Sequence, residues 1–320
     1  MVDSTPMAAS DPRQALRVPK VRAAVVAAAA SVGILAFKGA AYLLTGSVAI
    51  LSDAAESVVN VVAANVALVS LVVAVRPPDA GHQYGHGKAE YISGATEGVL
   101  ICAAGAWIVV TAVRRLLHPV PLQWLDAGAA IVGVATAANY LVARFLLRIS
   151  REAGSMALEA DARHLQADVL TSLAVLAGLG LVWLTGRQWL DPVVGGAVGL
   201  HVLRMGAAVT RQAVGGLMDS SLPPHEEEAI RQVLDAHREQ IVDYHALRAR
   251  RVGSDRFIDL HLVLHRSMSV GQAHALCDHL EEHIREVLPG TDITIHVEPC
   301  APACSRCAPQ AGLTGVPRPV

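Results

Sequence analysis

Apolar residues fall in six long blocks, near 23–44, 48–75, 91–113, 124–147, 164–184 and 190–210. Each approaches the 20 or so residues that a helix needs to cross a bilayer core, so six membrane spans are expected. The loops at 45–47 and 185–189 are short, which makes tight hairpins of spans 1–2 and 5–6. Beyond about residue 222 the pattern becomes that of a soluble domain. HEEEAIRQVLDAHRE reads as a helix opening after Pro223 and Pro224. IVDYHALRARRVG and RFIDLHLVLH read as strands, GQAHALCDHLEEHIREVLP as a helix and DITIHVE as a strand. In the second strand Ile258, Leu260, Leu262 and Leu264 alternate with Asp259, His261 and His265, giving one core face and one His-bearing face.

The expected fold is therefore a membrane α-helical protein of six transmembrane helices, followed by a small α+β domain in the order α-β-β-α-β. It divides into an N-terminal tail at 1–20, a six-helix transmembrane domain at 21–213, a soluble domain at 214–299 and a Cys/Pro-rich tail at 300–320 expected to be disordered. Span 6 carries Gly195 and Gly199, a spacing that permits close helix approach.

Composition agrees. Of 320 residues 53% are hydrophobic and 17% charged, and mean hydropathy is +0.42, too apolar for an ordinary soluble protein. With the N-terminus inside, the cytoplasmic face holds Arg13, Arg17, Lys20, Arg22, Arg76, Lys88, Arg148, Arg151, Arg163 and Arg211. The opposite face holds Arg114, Arg115 and Arg187, so both termini should be cytoplasmic. The first apolar block is too long for a signal-peptide core, and no cleavage is expected. A net charge of −2 gives no reason to expect a nucleic-acid partner.

The membrane blocks nevertheless contain costly polar groups. Asp53, Glu56 and Asn60 fall within an arc of about 60° on span 2, although an acidic side chain at mid-bilayer costs about 3 kcal/mol. Span 5 has the same spacing in Asp161, His164 and Asp168. Two helices thus each offer an i, i+4 pair, and facing pairs can enclose a four-coordinate site for a first-row divalent cation. The dication would offset the buried charge. A polar network that only ties helices together is the competing reading. Asp53 and Asp161 read either as ion guides or as helix-end carboxylates solvated at the headgroups. Lys38 reads as the partner of a buried carboxylate or as a snorkelling side chain.

GSVAILSDAAES, the loop HQYGHGKAE and HLQAD of span 5 together resemble the cation diffusion facilitator family, and most nearly its bacterial iron–zinc efflux branch. The resemblance runs from about residue 21 to 299. It implies a homodimer in the inner (plasma) membrane, a metallochaperone-like cytoplasmic domain, and export of Zn²⁺ or a similar ion in exchange for protons. Carried over, the transport site is Glu56, Asn60, His164 and Asp168, with Asp53 as a further candidate. A loop site is implied at Asp79, His82 and His86, and a cytoplasmic-domain site at His245, His261, His274, His296 and Glu298. Lys88 and Asp219 match an ion pair between protomers. The chain departs from the family at Glu56, where Asp or His is usual, and at Asn60, where Asp is usual. Three oxygen donors and one nitrogen tilt selectivity toward Fe²⁺, Mn²⁺ or Co²⁺ while still admitting Zn²⁺ and Cd²⁺.

Nine of the fourteen histidines lie between 225 and 298. Outside the set the resemblance implies, His225, His237, His265, His279 and His283 read as scattered surface residues. Cys300, Cys304 and Cys307 have spacing that suits a soft metal, but reactive or disordered thiols fit as well. Cys102 and Cys277 read as small buried hydrophobes. No catalytic cofactor is called for; the divalent metal is substrate and regulatory ligand, with the bilayer, protons and a second copy of the chain as partners. A membrane metal sensor that does not transport is the main rival. An intramembrane metallohydrolase is a weaker one, because no H-E-x-x-H motif occurs.

Overall fold

The computed structural model describes residues 18–45, 48–118, 126–187, 189–302 and 304. Within the helices, the side chains of 41–42, 44–45, 48–56, 126–132, 175–176, 178–180, 182–183 and 191 lie outside the description. The chain forms two compact units, Met1–Met218 and Asp219–Val320.

Six long helices make up the described part of the first unit: α1 (Pro19–Thr45), α2 (Val48–Ala74), α3 (Ala89–Leu117), α4 (Asp126–Ala153), α5 (Met156–Thr185) and α6 (Leu190–Leu217). Each has 27 to 30 residues, or about 40–45 Å at 1.5 Å per residue. Among the described residues, Pro19–Ala40, Ser57–Ala74, Ala89–Leu117 and Pro192–Leu217 are long and apolar enough to cross a membrane. Large apolar side chains on these helices point outward, Trp107 (69% exposed) and Val69 (63%) among them, as a lipid-facing surface requires. Helix α5 begins at Met156, a full two turns before the apolar block at 164–184, so its polar N-terminal portion continues the same rod. A tight turn at Gly154 (φ +60°) separates it from α4.

The closest helix pairing is α3 against α6. A methyl group built on Gly105 would come within 2.7 Å of the Leu203 backbone nitrogen, and one on Gly206 within 2.7 Å of that of Cys102. Only hydrogen fits at either place. Of the small-residue pair expected from sequence, Gly199 packs against Ile108 and Val109, whereas Gly195 has open space. The seam is thus built on Gly98 and Gly105 facing Gly199 and Gly206, each pair seven residues apart.

In the second unit, helix α7 (Pro224–Ala236) precedes strands β1 (Asp243–Val252) and β2 (Asp255–Leu264), helix α8 (Val270–Val287) and strand β3 (Thr291–Pro299). Pro224 opens α7, and a reciprocal Ser269–Gln272 capping box opens α8. The sheet order is β1-β2-β3, antiparallel then parallel. Ile258, Leu260, Leu262 and Leu264 are buried, as their alternation predicts. They meet Ile230 and Leu234 of α7 and Leu276, Leu280 and Ile284 of α8 in one core. Glu226 is buried as well. Arg256 grips its carboxylate at 2.7 and 3.0 Å and Arg251 adds a contact at 3.3 Å; these hydrogen bonds and charges lower its pKa from the usual 4.5.

Candidate functional site

Helices α2 and α5 bring three of the four expected transport-site residues together. The Asn60 amide donates to the Asp168 carboxylate. On its other side the Asn60 carbonyl oxygen lies 2.9 Å from His164 Nε2. A carbonyl only accepts, so Nε2 carries the proton of that bond. Asn60 and His164 are 5% and 4% exposed. The i, i+4 spacing on α5 sets His164 and Asp168 on one face, and one amide from α2 spans both. Asp53 and Glu56 belong to α2, but their side chains lie outside the described residues.

Asp161, one turn before His164, is buried at 2% exposure. It is not a solvated helix-end carboxylate, because α5 starts earlier and covers it. A further acid that sequence reasoning passed over is Glu97 on α3, fully buried and receiving a hydrogen bond from Ser93 Oγ at 3.2 Å. Its signal was a lone carboxylate inside the apolar block 91–113. Lys38 on α1 is buried too. Lys20, counted above only as a cytoplasmic positive charge, is buried and donates to Glu90 at 2.7 Å. Ser155 also donates to that carboxylate and receives the backbone N–H of Leu158 at 3.4 Å. One carboxylate therefore joins the starts of α1, α3 and α5.

In the loop between α2 and α3, Asp79, His82 and His86 place one ligand atom each within 4.8 Å of one another. Asp79 Oδ1 accepts the backbone N–H groups of Gly81 and His82 at 2.8 and 2.7 Å. Those bonds, that from His82 foremost, and the charges of His86 and His82 pull its carboxyl below the usual 3.8. It is ionised at any physiological pH. Next to it, Lys88 donates to the Leu217 carbonyl at 3.3 Å.

On the sheet, His245, His261 and His296 stand in one row, paired directly across β1, β2 and β3. Neighbouring rings are 5.1 and 4.8 Å apart between centroids. Glu298, two residues along β3, reaches the row: 2.8 Å from His261 Nδ1, 3.6 Å from His245 Nε2 and 3.9 Å from His296 Nε2. His245, His261 and Glu298 satisfy the spacing of a metal site. A bulge directly after His245, with Ala246 at φ +50°, re-aims β1 there. His274 stays outside this group, on α8, 3.7 Å from Asp278. Asp219 pairs with Arg250 at 3.0 Å.

Three histidines that read as scattered surface residues do not stay scattered: His237, His279 and His283 also form a metal-sized group. Cys300 is buried and its N–H continues the ladder to the Leu264 carbonyl at 2.8 Å, so it belongs to the folded domain and not to a disordered tail. Cys304 is half-buried; Cys307 lies outside the described residues. Cys277 is buried, which raises its thiol pKa from 9.0, with Glu281 and Asp278 adding to the shift. Cys102 is half-buried.

Sequence similarity to known proteins runs over nearly the whole chain. Residues 24–218 match the cation efflux transmembrane domain, and residues 222–300 match the cation efflux protein cytoplasmic domain. The uncharacterized transporter sll1263 of Synechocystis is 41% identical over 276 residues, covering 86% of this chain and 89% of that protein. The cation-efflux pump FieF of Klebsiella pneumoniae is 32% identical over 278 residues, covering 87% and 92%. The solved zinc form of the transporter CzrB is 43% identical over 25% of this chain and 92% of its own, with a TM-score of 0.25. Family-model matches that span both units, with relatives above 30% identity over most of the chain, make it a member of the cation efflux family, a membrane protein that moves divalent metal cations.

Proposed function

We propose that the protein exports a divalent transition-metal ion, Zn²⁺ or Fe²⁺ foremost, in exchange for protons by alternating access between α2 and α5. The observation that carries this reading is Asn60 bridging His164 and Asp168 across the two helices. Buried imidazole, carboxylate and amide oxygen at one place are the donors a first-row dication takes, and Glu56, one turn before Asn60, is the fourth ligand. Metal arriving from the cytoplasm displaces protons from His164, Asp168 and Glu56, because binding requires deprotonated ligands. Protons on the far side then compete it off. All six long helices span the inner membrane in this reading, with both termini cytoplasmic.

The cytoplasmic unit adds regulation. His245, His261 and Glu298, with His296 beside them, supply the nitrogen and oxygen donors of a zinc-type site. The protein acts as a homodimer, in which His274 completes that site from the second protomer and Lys88 pairs with Asp219 between protomers. Asp79, His82 and His86 hold a peripheral ion.

Uptake of ⁶⁵Zn²⁺ or ⁵⁵Fe²⁺ into proteoliposomes carrying an imposed pH gradient tests the transport site. Replacing His164 and Asp168 together by Ala abolishes flux and its dependence on the gradient. Flux that persists in that variant removes these residues from the pathway; flux absent from the unsubstituted protein, with metal still bound, favours a sensor.

A further inference from the structure

We propose that His237, His279 and His283 form a further metal site of the cytoplasmic unit, one that binds Zn²⁺ or a similar first-row dication through three imidazole nitrogens. It is separate from the row on the sheet and does not depend on the transport reading.

The site is built by helix geometry. His279 and His283 are i, i+4 on α8, so their rings stand one above the other, 4.2 Å apart between centroids. Their neighbours Leu280 and Ile284 are fully buried, which fixes the helix rotation and puts both rings at the edge of the packed face. His237 caps the C-terminal end of α7, one turn beyond the buried Leu234. Its ring meets the other two at 5.2 and 5.1 Å, closing a triangle.

Two details favour a cation. His237 Nδ1 lies 2.8 Å from the carbonyl oxygen of Val233. A carbonyl cannot donate, so Nδ1 holds the hydrogen and Nε2 keeps its lone pair for a ligand bond. Metal-binding histidines are oriented in this way, by a backbone carbonyl or carboxylate behind the ring. The triangle also sits at the negative end of the α7 dipole. A nitrogen from each residue lies within 4.8 Å of the others, against about 3.4 Å for nitrogens sharing a tetrahedral ion with bonds of about 2.05 Å. Rotation of the half-exposed rings closes that gap. Three protein ligands leave a fourth position for water or an exchanging donor, so the site loads and unloads. Once loaded, it ties the end of α7 to α8.

The experiment measures Zn²⁺ binding to the full-length protein in detergent micelles at pH 7.5, by equilibrium dialysis, together with zinc-induced shifts of the unfolding temperature. The variant H279A/H283A is expected to bind one Zn²⁺ fewer per chain. H261A, on the sheet, loses a separate equivalent, and the two losses add when combined. Because His279 is exposed, H279Q alone keeps the fold and weakens the same equivalent by about tenfold or more. Copper(II) added after H261A, H82A, H86A and H164A remove the other imidazole sites should give an electron paramagnetic resonance spectrum with nitrogen couplings that H279A/H283A abolishes. Unchanged stoichiometry in H279A/H283A, with an unchanged circular dichroism spectrum, overturns the proposal. So does a loss that is already complete in H261A.

Discussion

His164 Nε2 lies 2.9 Å from the side-chain oxygen of Asn60, and with the Asn60–Asp168 hydrogen bond it joins the two helices on which the transport reading depends. Asn60 is neutral, yet it holds an imidazole and a carboxylate at once. Replacing it by Asp adds a unit charge and a titratable group beside Asp168. Zn²⁺ should bind at least about tenfold more tightly, since a few kcal/mol of added attraction at contact distance outweighs the extra desolvation. Transport should also depend more steeply on pH. Metal-flux curves across a pH series, for Asn60→Asp against the unsubstituted protein, check both effects. No change in either would place Asn60 outside the ligand set.

Glu226 offers a stability prediction with a defined sign. Its folded pKa is depressed below 4.5 by Arg256 and Arg251, so its contribution is complete above the unfolded value and fades as pH falls through the folded one. Glu226→Gln should cost about 2 kcal/mol at neutral pH, the scale of hydrogen bonds to a charged group. The gap between variant and parent should narrow below about pH 4. Urea unfolding of the cytoplasmic unit within the intact chain, at about pH 7 and about pH 3, measures it.

The Lys20–Glu90–Ser155 group should be more sensitive to partial than to complete removal. Glu90→Gln leaves the buried Lys20 ammonium without its counter-charge, at a cost of about 3 kcal/mol. Adding Lys20→Met should recover much of it. Thermal unfolding in detergent distinguishes the two variants, and equal losses would mean that the ion pair itself is unimportant.

Asp79 is held below the usual carboxylate range by the backbone N–H of His82, so it should present a full negative charge to a loop-bound cation at neutral pH. Asp79→Asn should lower loop affinity by about tenfold. Zinc titrations of the full chain at pH 7.5, with His164, Asp168, His245, His261, His279 and His283 replaced, isolate the loop.

The α3–α6 seam should reject side chains. Gly206→Val places carbon where Cys102 and the Gly98 carbonyl already stand, and overpacking of this kind costs about 1–3 kcal/mol. Gly195→Val, which meets open space, should be nearly neutral. Unfolding temperatures of the two variants give the comparison.

Much of this organisation was readable from the chain because it is periodic. The i, i+4 matches at 56/60 and 164/168 and the alternation at 258–264 encode which residues share a face, and the structure bears out the facing of Asn60, His164 and Asp168 and of the buried strand residues. What escaped was decided by contacts between elements. His237 lies more than 40 residues from His279, and only the packing of α7 on α8 brings them together. Lys20 looked like one more interfacial charge until Glu90 met it. Asp161 seemed to lie at a helix end because hydropathy, not hydrogen bonding, marked where α5 began. The glycine seam was half legible: the spacing of small residues is visible in sequence, but which of them face the neighbouring rod depends on helix rotation.

That seam also dictates where the protein can bend. With backbone against backbone at Gly105 and Gly206, α3 and α6 interlock too closely to slide past one another, so they behave as a keel. Whatever separates Asn60 from His164 must come from α2 or α5 shifting past that keel. Spin labels on α3 and α6 should report one fixed distance through the whole cycle, a ruler built into the fold against which the moving rods can be surveyed.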